Sequence, residues 1–324
     1  MEIEDYIRGG KQKSYYASEE TTRWSCPLCG SHEARLLKME RGSLGVVECM
    51  GCQLIRINPR LNAPEEVYQG KVEIYREEFR MIVQGKAVHH RDKNYLQDLE
   101  KIAKYKPNGN FLDIGTNTGS FLRLARNRGW KLTGVEPSPQ LGGLAREWWG
   151  LDIIEGFLEE VSLPARHFDV VTMTDVFEHV VNPKEVLATV RKIIKPDGIV
   201  YIKVPNGLFN IVKYKVRRFF GKNTSNDFDA YEHVLHYSEE TLRNMLKMSG
   251  FEPLHFSVEA PVQIPVWHKY VGIYYQHKSP WVLAWKTYTA RTLLYWAARL
   301  EHLILRRVGW LAPNIGCVAR PIGN

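Results

Sequence analysis

The sequence predicts an α/β fold: a doubly wound, mostly parallel sheet, with a small cysteine knuckle ahead of it and a helical insertion near the C-terminus. Three observations carry this. Strand-like and helix-like stretches alternate from residue 107 onward. FDVVTMTDV, residues 168–176, is apolar enough to be buried on both faces, as a central parallel strand must be. Four of the five cysteines form two close pairs near the N-terminus.

Taken in order, residues 1–64 hold the knuckle. Cys26-x2-Cys29 and Cys49-x2-Cys52 are separated by 19 residues. Two residues between thiolates let one turn present both sulfurs to one ion, and two such turns complete a closed tetrahedral site. Pro27, Gly30, Gly51 and Gln53 supply the turns. Zinc is the expected ion, held for structure, with rubredoxin-like iron or a redox dithiol as the competing uses. Residues 65–106 read as a helical lead-in, with a helix over Lys86 to Tyr105 that Pro107-Asn108-Gly109 breaks.

Residues 107–261 form the core domain. Phe111–Ile114 is a strand, and Ser120–Arg128 a helix closed by Gly129. Leu132–Val135 is a strand ending in Glu136-Pro137, followed by a helix over Pro139–Trp149 and a short strand, Asp152–Ile154. After strand 168–176, Pro183 opens the helix Lys184–Ile194, and Pro196-Asp197-Gly198 ends it. IVYIKVP is the next strand, and a helix follows with Ser238 as its N-cap and Gly250 at its end. Residues 262–312 are the insertion, and 313–324 a last strand and tail.

In such a sheet, ligands bind at the carboxyl ends of the strands. There the sequence places Asp113, the loop Gly115-Thr116-Asn117-Thr118-Gly119 and, at the end of the second strand, Glu136. Glu136 holds the position that takes ribose hydroxyls in dinucleotide folds. No G-x-G-x-x-G and no P-loop lysine occur, which disfavours a pyrophosphate cofactor and favours a nucleoside without phosphates such as S-adenosylmethionine. By itself the loop equally fits a glycine-built corner that binds nothing.

The loop, Glu136, DVFEHV and IKPDGIVYIKVPN together resemble class I S-adenosylmethionine-dependent methyltransferases. The likeness covers roughly residues 86–260 and runs toward the ubiquinone/menaquinone branch and the bacterial sugar and polysaccharide methyltransferases. The cysteine knuckle followed by INPR is similar to a subset from polysaccharide or deoxysugar pathways. The resemblance implies seven strands in a Rossmann-like arrangement and S-adenosylmethionine as cofactor. It implies that Asp113, Gly115, Thr116, Asn117 and Gly119 hold the methionine end, with Arg91 on its carboxylate. Glu136, with Pro137 behind it, would bind the ribose hydroxyls. Phe157 and Leu158 would flank the adenine, and Thr174 and Asp175 would line the methionine side. Asn117 stands where the family's loop has glycine. Asn is among the few residues that tolerate a left-handed backbone, so a positive φ is expected there.

Methyl transfer is an in-line displacement on an activated sulfonium, in which the protein chiefly aligns the partners. An oxygen acceptor also gains from a general base. His233 and His236 rank first for that role, followed by His179, with Tyr231 beside them in AYEHVLHYS. All four also suit loop-bridging roles. In some quinone methyltransferases a motif matched by Asp175, Glu178 and His179 holds a divalent ion, although the same residues also serve simply to fix the loop.

The net charge of +8 is concentrated. Residues 262–312 carry seven lysines and arginines against Glu301 alone, and Lys213, Lys215, Arg217, Arg218 and Lys222 form a second cluster, a grip for a nucleotide-sugar diphosphate. A helix through 262–312 would set Arg291, Arg299 and Arg306 on one face among Trp281, Trp285, Trp296 and Trp310. That pattern suits a membrane interface with anionic lipids, and equally a lid or a homo-oligomer contact. The expected acceptor is a small molecule, sugar- or lipid-linked, as in cell-surface polysaccharide synthesis, with a quinone as the alternative. A nucleic-acid partner is not expected despite the basic pI, because the cations interleave with a strongly apolar helix. A scaffold that binds the cofactor without turnover is the third class. MEIEDYIRGG has no apolar core, and the longest stretch free of Lys, Arg, Asp and Glu is 12 residues, Val308 to Ala319. A cytoplasmic protein, at most peripheral at the membrane, is therefore expected.

Overall fold

The computed structural model describes residues 15–62, 72–221, 227–260, 262, 270–271 and 289–323. Their strands are, in order, β1 Thr21–Thr22, β2 Ala34–Glu40, β3 Leu44–Cys49, β4 Ile55–Ile57, β5 Arg60–Leu61, β6 Val88–His89 and β7 Gly109–Ile114. There follow β8 Trp130–Glu136, β9 Asp152–Glu155, β10 Phe168–Thr174, β11 Ile194–Pro205, β12 Leu235–His236, β13 Phe251–Val258, β14 Tyr270–Val271 and β15 Asn314–Pro321.

Seven of these make the central sheet, in the order β13-β15-β11-β10-β7-β8-β9. The β11, β10, β7, β8 and β9 neighbours pair parallel, and β15 lies antiparallel to both β11 and β13. The predicted doubly wound, mostly parallel sheet is therefore present. From β7 the chain winds outward through β8 and β9, then returns to β10 and winds the other way. The switch point lies between β7 and β10, so a crevice opens above their carboxyl ends. Both faces of the sheet are covered. Met173, Ile202, Leu187, Leu242 and Phe256 pack in one apolar layer, and Phe111, Val170, Tyr201, Leu99 and Ile102 in the other.

Local chemistry explains most boundaries. The helix Pro139–Trp149 starts with Ser138 Oγ accepting from the Leu141 amide and ends on left-handed Gly150. The helix Glu239–Met248 has Ser238 as its cap, as expected. Four boundaries differ from the sequence reading. The helix expected over Ser120–Arg128 is one turn, Leu122–Ala125, because Arg126 is extended and Asn127 turns left-handed to feed β8. The helix expected from Lys86 begins at Asp92, since β6 occupies residues 88–89. Strand 168–176 stops at Thr174, where Asp175 takes a φ of 57°. The Pro196–Gly198 turn lies inside β11, as an irregularity in its pairing with β10.

The N-terminal residues form a second sheet in the order β12-β4-β3-β2, whose edge strand comes from far along the chain. Buried Glu40 on β2 fixes that arrangement. Its carboxylate accepts the backbone N–H groups of Asp227, Phe228 and Ala230 at 2.7, 2.9 and 3.2 Å. Lys38 joins Asp227 at 2.5 Å, also buried. The knuckle is fastened to the main layer as well: Lys184 Nζ donates to the Leu28 carbonyl at 2.8 Å, and Cys26, Leu28 and Cys49 belong to the core under the central sheet. Of the expected insertion, the described part is chiefly the helix Arg291–Leu305; Trp281 and Trp285 lie outside the described residues. No described helix is long and apolar enough to cross a membrane.

Candidate functional site

β7 ends in Asp113 and Ile114, and the chain then turns through three left-handed residues: Gly115 at φ 69°, Asn117 at 54° and Gly119 at 79°. The positive φ expected of Asn117 is present. Its side chain closes the turn by accepting the Thr118 amide at 2.7 Å. The glycines have steric reasons. A Cβ at Gly115 would lie 2.6 Å from Val176, and one at Gly119 would lie 2.6 Å from Leu151. The loop is sewn to its neighbours by the Gly115 amide on the Val135 carbonyl at 2.8 Å and the Thr116 hydroxyl on the Asp113 carbonyl at 2.9 Å. At its foot the buried Ser120 hydroxyl has no partner among the described residues, a donor left over for a ligand or a water.

Glu136 closes β8 opposite this loop. One carboxylate oxygen accepts the Asn117 amide at 2.6 Å, and the other accepts the Ser138 amide at 3.0 Å. Each oxygen keeps a lone-pair direction for another donor, so a vicinal diol could be held by both. Burial raises the Glu136 pKa against those two hydrogen bonds. Asp113 is buried and accepts from the Thr172 hydroxyl at 2.6 Å. Burial, helped by the Glu136 charge, pushes its pKa up to about 7 despite that bond. A site that destabilises two carboxylates in this way favours a cation beside them.

On the other side of the switch point, Asp175 follows Thr174 and pairs with Arg91. Burial would raise the Asp175 pKa, but Arg91, Lys203, His233 and His179 outweigh it and hold the carboxylate ionised. Behind this pair lies a buried network. Lys203 pairs with Asp98, and the Tyr201 hydroxyl donates to Asp98 at 2.9 Å. The Lys203 ammonium lies 5.5 Å over the Tyr95 ring. It holds the helix Asp92–Ala103, and Arg91 at its start, against β11. Sequence reasoning missed these residues. The one signal was Lys203, a lone charge within the apolar run IVYIKVP.

The histidines separate into two environments. His179 and His233 meet with ring centroids 4.7 Å apart, and their Nε2 atoms lie 3.9 and 4.0 Å from one oxygen of Glu178. His179 Nδ1 lies 2.8 Å from the Glu232 carbonyl; as that oxygen only accepts, Nδ1 carries the proton and Nε2 the lone pair of the neutral ring. Glu178 is 1% exposed, and neither of its oxygens has a hydrogen-bond partner among the described residues. Burial, reinforced by Asp175, pushes its carboxyl well above the ordinary range. His236 is buried instead against Phe228 and Asn210, where burial keeps its ring neutral. Tyr231 packs under Arg41 in the N-terminal cluster. After β9, Phe157 is exposed while Leu158 turns into the core. Pro137 sits between Glu136 and the Ser138 cap.

The four cysteine sulfurs of the knuckle all lie within 4.8 Å of one another. Cys26 and Cys52 are 3.5 Å apart, and Cys29 and Cys49 3.4 Å. A tetrahedral centre with metal–sulfur bonds of about 2.3 Å needs sulfurs about 3.8 Å apart, so the donor set fits a zinc-sized ion. The two turns repeat one geometry: the Gly30 amide bonds the Cys26 carbonyl at 2.8 Å, and the Gln53 amide bonds the Cys49 carbonyl at 2.9 Å. Glu78, His89 and His90 form another group close enough to share an ion. There, however, His89 Nδ1 accepts the Arg91 amide, and Arg91 and Arg123 add positive charge.

Residues 87–255, just over half of the chain, match the family model described as a methyltransferase domain, and the chain belongs to that family. Among curated relatives, 143 residues are 30% identical to C-methyltransferase NovU of Streptomyces niveus, over 43% of this chain and 32% of that one. A stretch of 120 residues is 22% identical to the ubiquinone/menaquinone biosynthesis C-methyltransferase UbiE of Shewanella pealeana, over 33% of this chain and 48% of that one. The chain thus spans less than half the length of these two relatives. Among solved structures, a complex between the Haloferax volcanii Trm112 methyltransferase activator and a methyltransferase aligns with a TM-score of 0.51 at 16% identity. That alignment covers 80% of this chain and 97% of the other, and it speaks for the fold.

The left-handed loop makes a direct prediction. Asn117→Gly should leave stability within about 0.5 kcal/mol, whereas Asn117→Val should cost about 1–2 kcal/mol in urea unfolding. Equal costs for both would mean that the side chain, and not the backbone conformation, decides the position.

Proposed function

We propose that the chain transfers a methyl group from S-adenosylmethionine to a sugar or glycan acceptor, nucleotide- or lipid-linked, in the making of a cell-surface polysaccharide. The observation that carries this reading is Glu136, pinned at the end of β8 by the Asn117 and Ser138 amides with both oxygens still able to accept. In this reading the two ribose hydroxyls bond those oxygens. The methionine end runs over Gly115 and Gly119 toward Asp113, with Thr116, Asn117 and Thr174 beside it. Arg91, shared with Asp175, takes the methionine carboxylate. Phe157 covers the adenine. The cofactor supplies the activated methyl; the protein aligns it and excludes water.

The relatives named C-methyltransferases favour a carbon acceptor next to a carbonyl group. His233 would take the acceptor's C–H proton, and the cofactor's sulfonium would supply the methyl group and leave as the demethylated thioether. His179, with Nδ1 held by the Glu232 carbonyl, positions its neighbour. His236 and Tyr231 shape the wall behind them. A quinone or other lipid acceptor is the second reading, supported by the UbiE likeness. Cys26, Cys29, Cys49 and Cys52 hold a structural zinc ion, which is closed to substrate because all four positions are filled by sulfur.

Calorimetry with S-adenosylmethionine tests the site. Glu136→Ala should weaken binding about 100-fold or more, through loss of two charge-assisted hydrogen bonds. Unchanged affinity would sink the assignment.

A second test uses pH. Burial pushes the Asp113 pKa up to about 7, so the carboxylate form is lost as pH falls below that. A cationic ligand needs the carboxylate, so affinity should rise with pH up to about 7 and then level off, with a proton released on binding. Asp113→Asn should flatten the profile. The sign for stability is the opposite: a pKa raised on folding favours the fold below the usual carboxylate range, and that contribution is lost as pH climbs toward 7.

Elemental analysis should find one zinc per chain, and stripping it should lower the melting temperature. A metal-free preparation of undiminished stability would remove zinc from the fold.

A further inference from the structure

The helix Arg291–Leu305 buries Ala298 and half-buries Leu294, Tyr295, Glu301 and His302 along one side. On the opposite side, at heptad spacing, stand Leu293, Trp296, Leu300, Leu303 and Ile304, exposed by 58–74%. A helix that is apolar all round expects cover on both faces. The exposed charges that this helix and the two residues after it carry have one sign. Arg299, Arg306 and Arg307 are exposed, and the single acid, Glu301, turns inward to accept the Trp310 and Leu311 amides at 3.0 and 2.9 Å. Arg291, expected on the same face, is half-buried and bonds the Val262 carbonyl at 3.2 Å.

We infer that this face docks on an anionic lipid bilayer: the apolar stripe enters the acyl boundary while the arginines meet headgroup phosphates. Leu and Trp on one side with arginine at its margin is the composition of an interfacial helix. A second copy fits less well, because it would bring a like-charged arginine margin to the same stripe, whereas headgroup phosphates complement it.

The helix is also tied to the active end of the sheet. Asn206, following β11, donates from its side chain to the Gly309 and Ala312 carbonyls at 2.7 and 2.9 Å, and its amide reaches Pro313 at 2.9 Å. From the same asparagine springs the helix Gly207–Phe219, capped by the Asn206 side chain. That helix ends in Phe219 and Phe220, 85% and 70% exposed, beside exposed Lys215 and Arg218. Two basic, aromatic elements thus leave one point at the carboxyl end of the sheet. Docking through both would hold the crevice near the bilayer surface, where a lipid-linked acceptor presents its head. This consequence rests on the methyl-transfer reading; the docking itself does not.

Vesicle co-sedimentation of the full chain tests it, with phosphatidylcholine alone and with phosphatidylglycerol added. The expected result is binding to the anionic vesicles only, weakened about tenfold or more by Arg306→Glu with Arg307→Glu. Leu303→Glu with Ile304→Glu should abolish it. Three outcomes would overturn the proposal: no binding to either vesicle, equal binding to both, or a concentration-dependent dimer that Leu303→Glu with Ile304→Glu makes monomeric. Cofactor affinity measured on the same samples separates the two readings. A wild type that binds the cofactor but neither vesicle removes the docking, whereas absent cofactor affinity in the wild type removes the methyl-transfer reading and leaves the docking standing.

Discussion

The hydrogen bonds between the Glu136 carboxylate and the amides of Asn117 and Ser138 are the constraint on which the site depends. They join the turn after β7 to the turn after β8 and fix both at the switch point. The loop reaches Glu136 only because three of its residues are left-handed, and Gly115 and Gly119 are needed also because Val176 and Leu151 leave no space for a side chain. Asn117 satisfies the backbone requirement and uses its own oxygen to close the turn. An apparent fault in a glycine loop is thus a residue suited to its φ.

Around that tether the protein buries more charge than its packing needs. Asp113 and Glu136 are buried on one side of the switch point, and Glu178, Lys203 and Asp98 on the other, where Arg91 and Asp175 are half-buried. Burying unpaired charge is costly, and each of these groups answers the cost differently. Lys203 and Asp98 pair, as do Arg91 and Asp175; burial pushes the Glu178 carboxyl well above its ordinary range beside two imidazoles. Asp113, whose pKa burial pushes up to about 7, forms no salt bridge among the described residues.

The N-terminal sheet shows why the knuckle is no appendage. Its edge strand, β12, comes from the segment that also carries His233, and Glu40 grips residues 227–230 by three backbone amides. The second cysteine turn therefore starts from the sheet that β12 completes. A disturbance at the sulfurs has a short physical route to His233, through β4 and β12.

Much of this was legible in the residues themselves. Alternating strand and helix patterns, Ser238 as a cap, two Cys-x2-Cys turns, and the interval from the glycine loop to Glu136 are local or periodic signals, set by backbone sterics and hydrogen-bond needs within a few residues. Local chemistry therefore determined the fold class and the half of the site that lies on β7 and β8. The tertiary structure decided what depends on contacts distant in the chain: that His233 and not His236 joins His179 and Glu178, that Arg91 meets Asp175 across 84 residues, and that Lys203 is neutralised by Asp98. The same holds for the helix Leu122–Ala125, cut to one turn by the geometry of return to β8, and for the outward stripe of Arg291–Leu305, where periodicity marks an apolar face but not which side the core covers. Burial and pairing are properties of the packed chain, and no spacing along a sequence contains them.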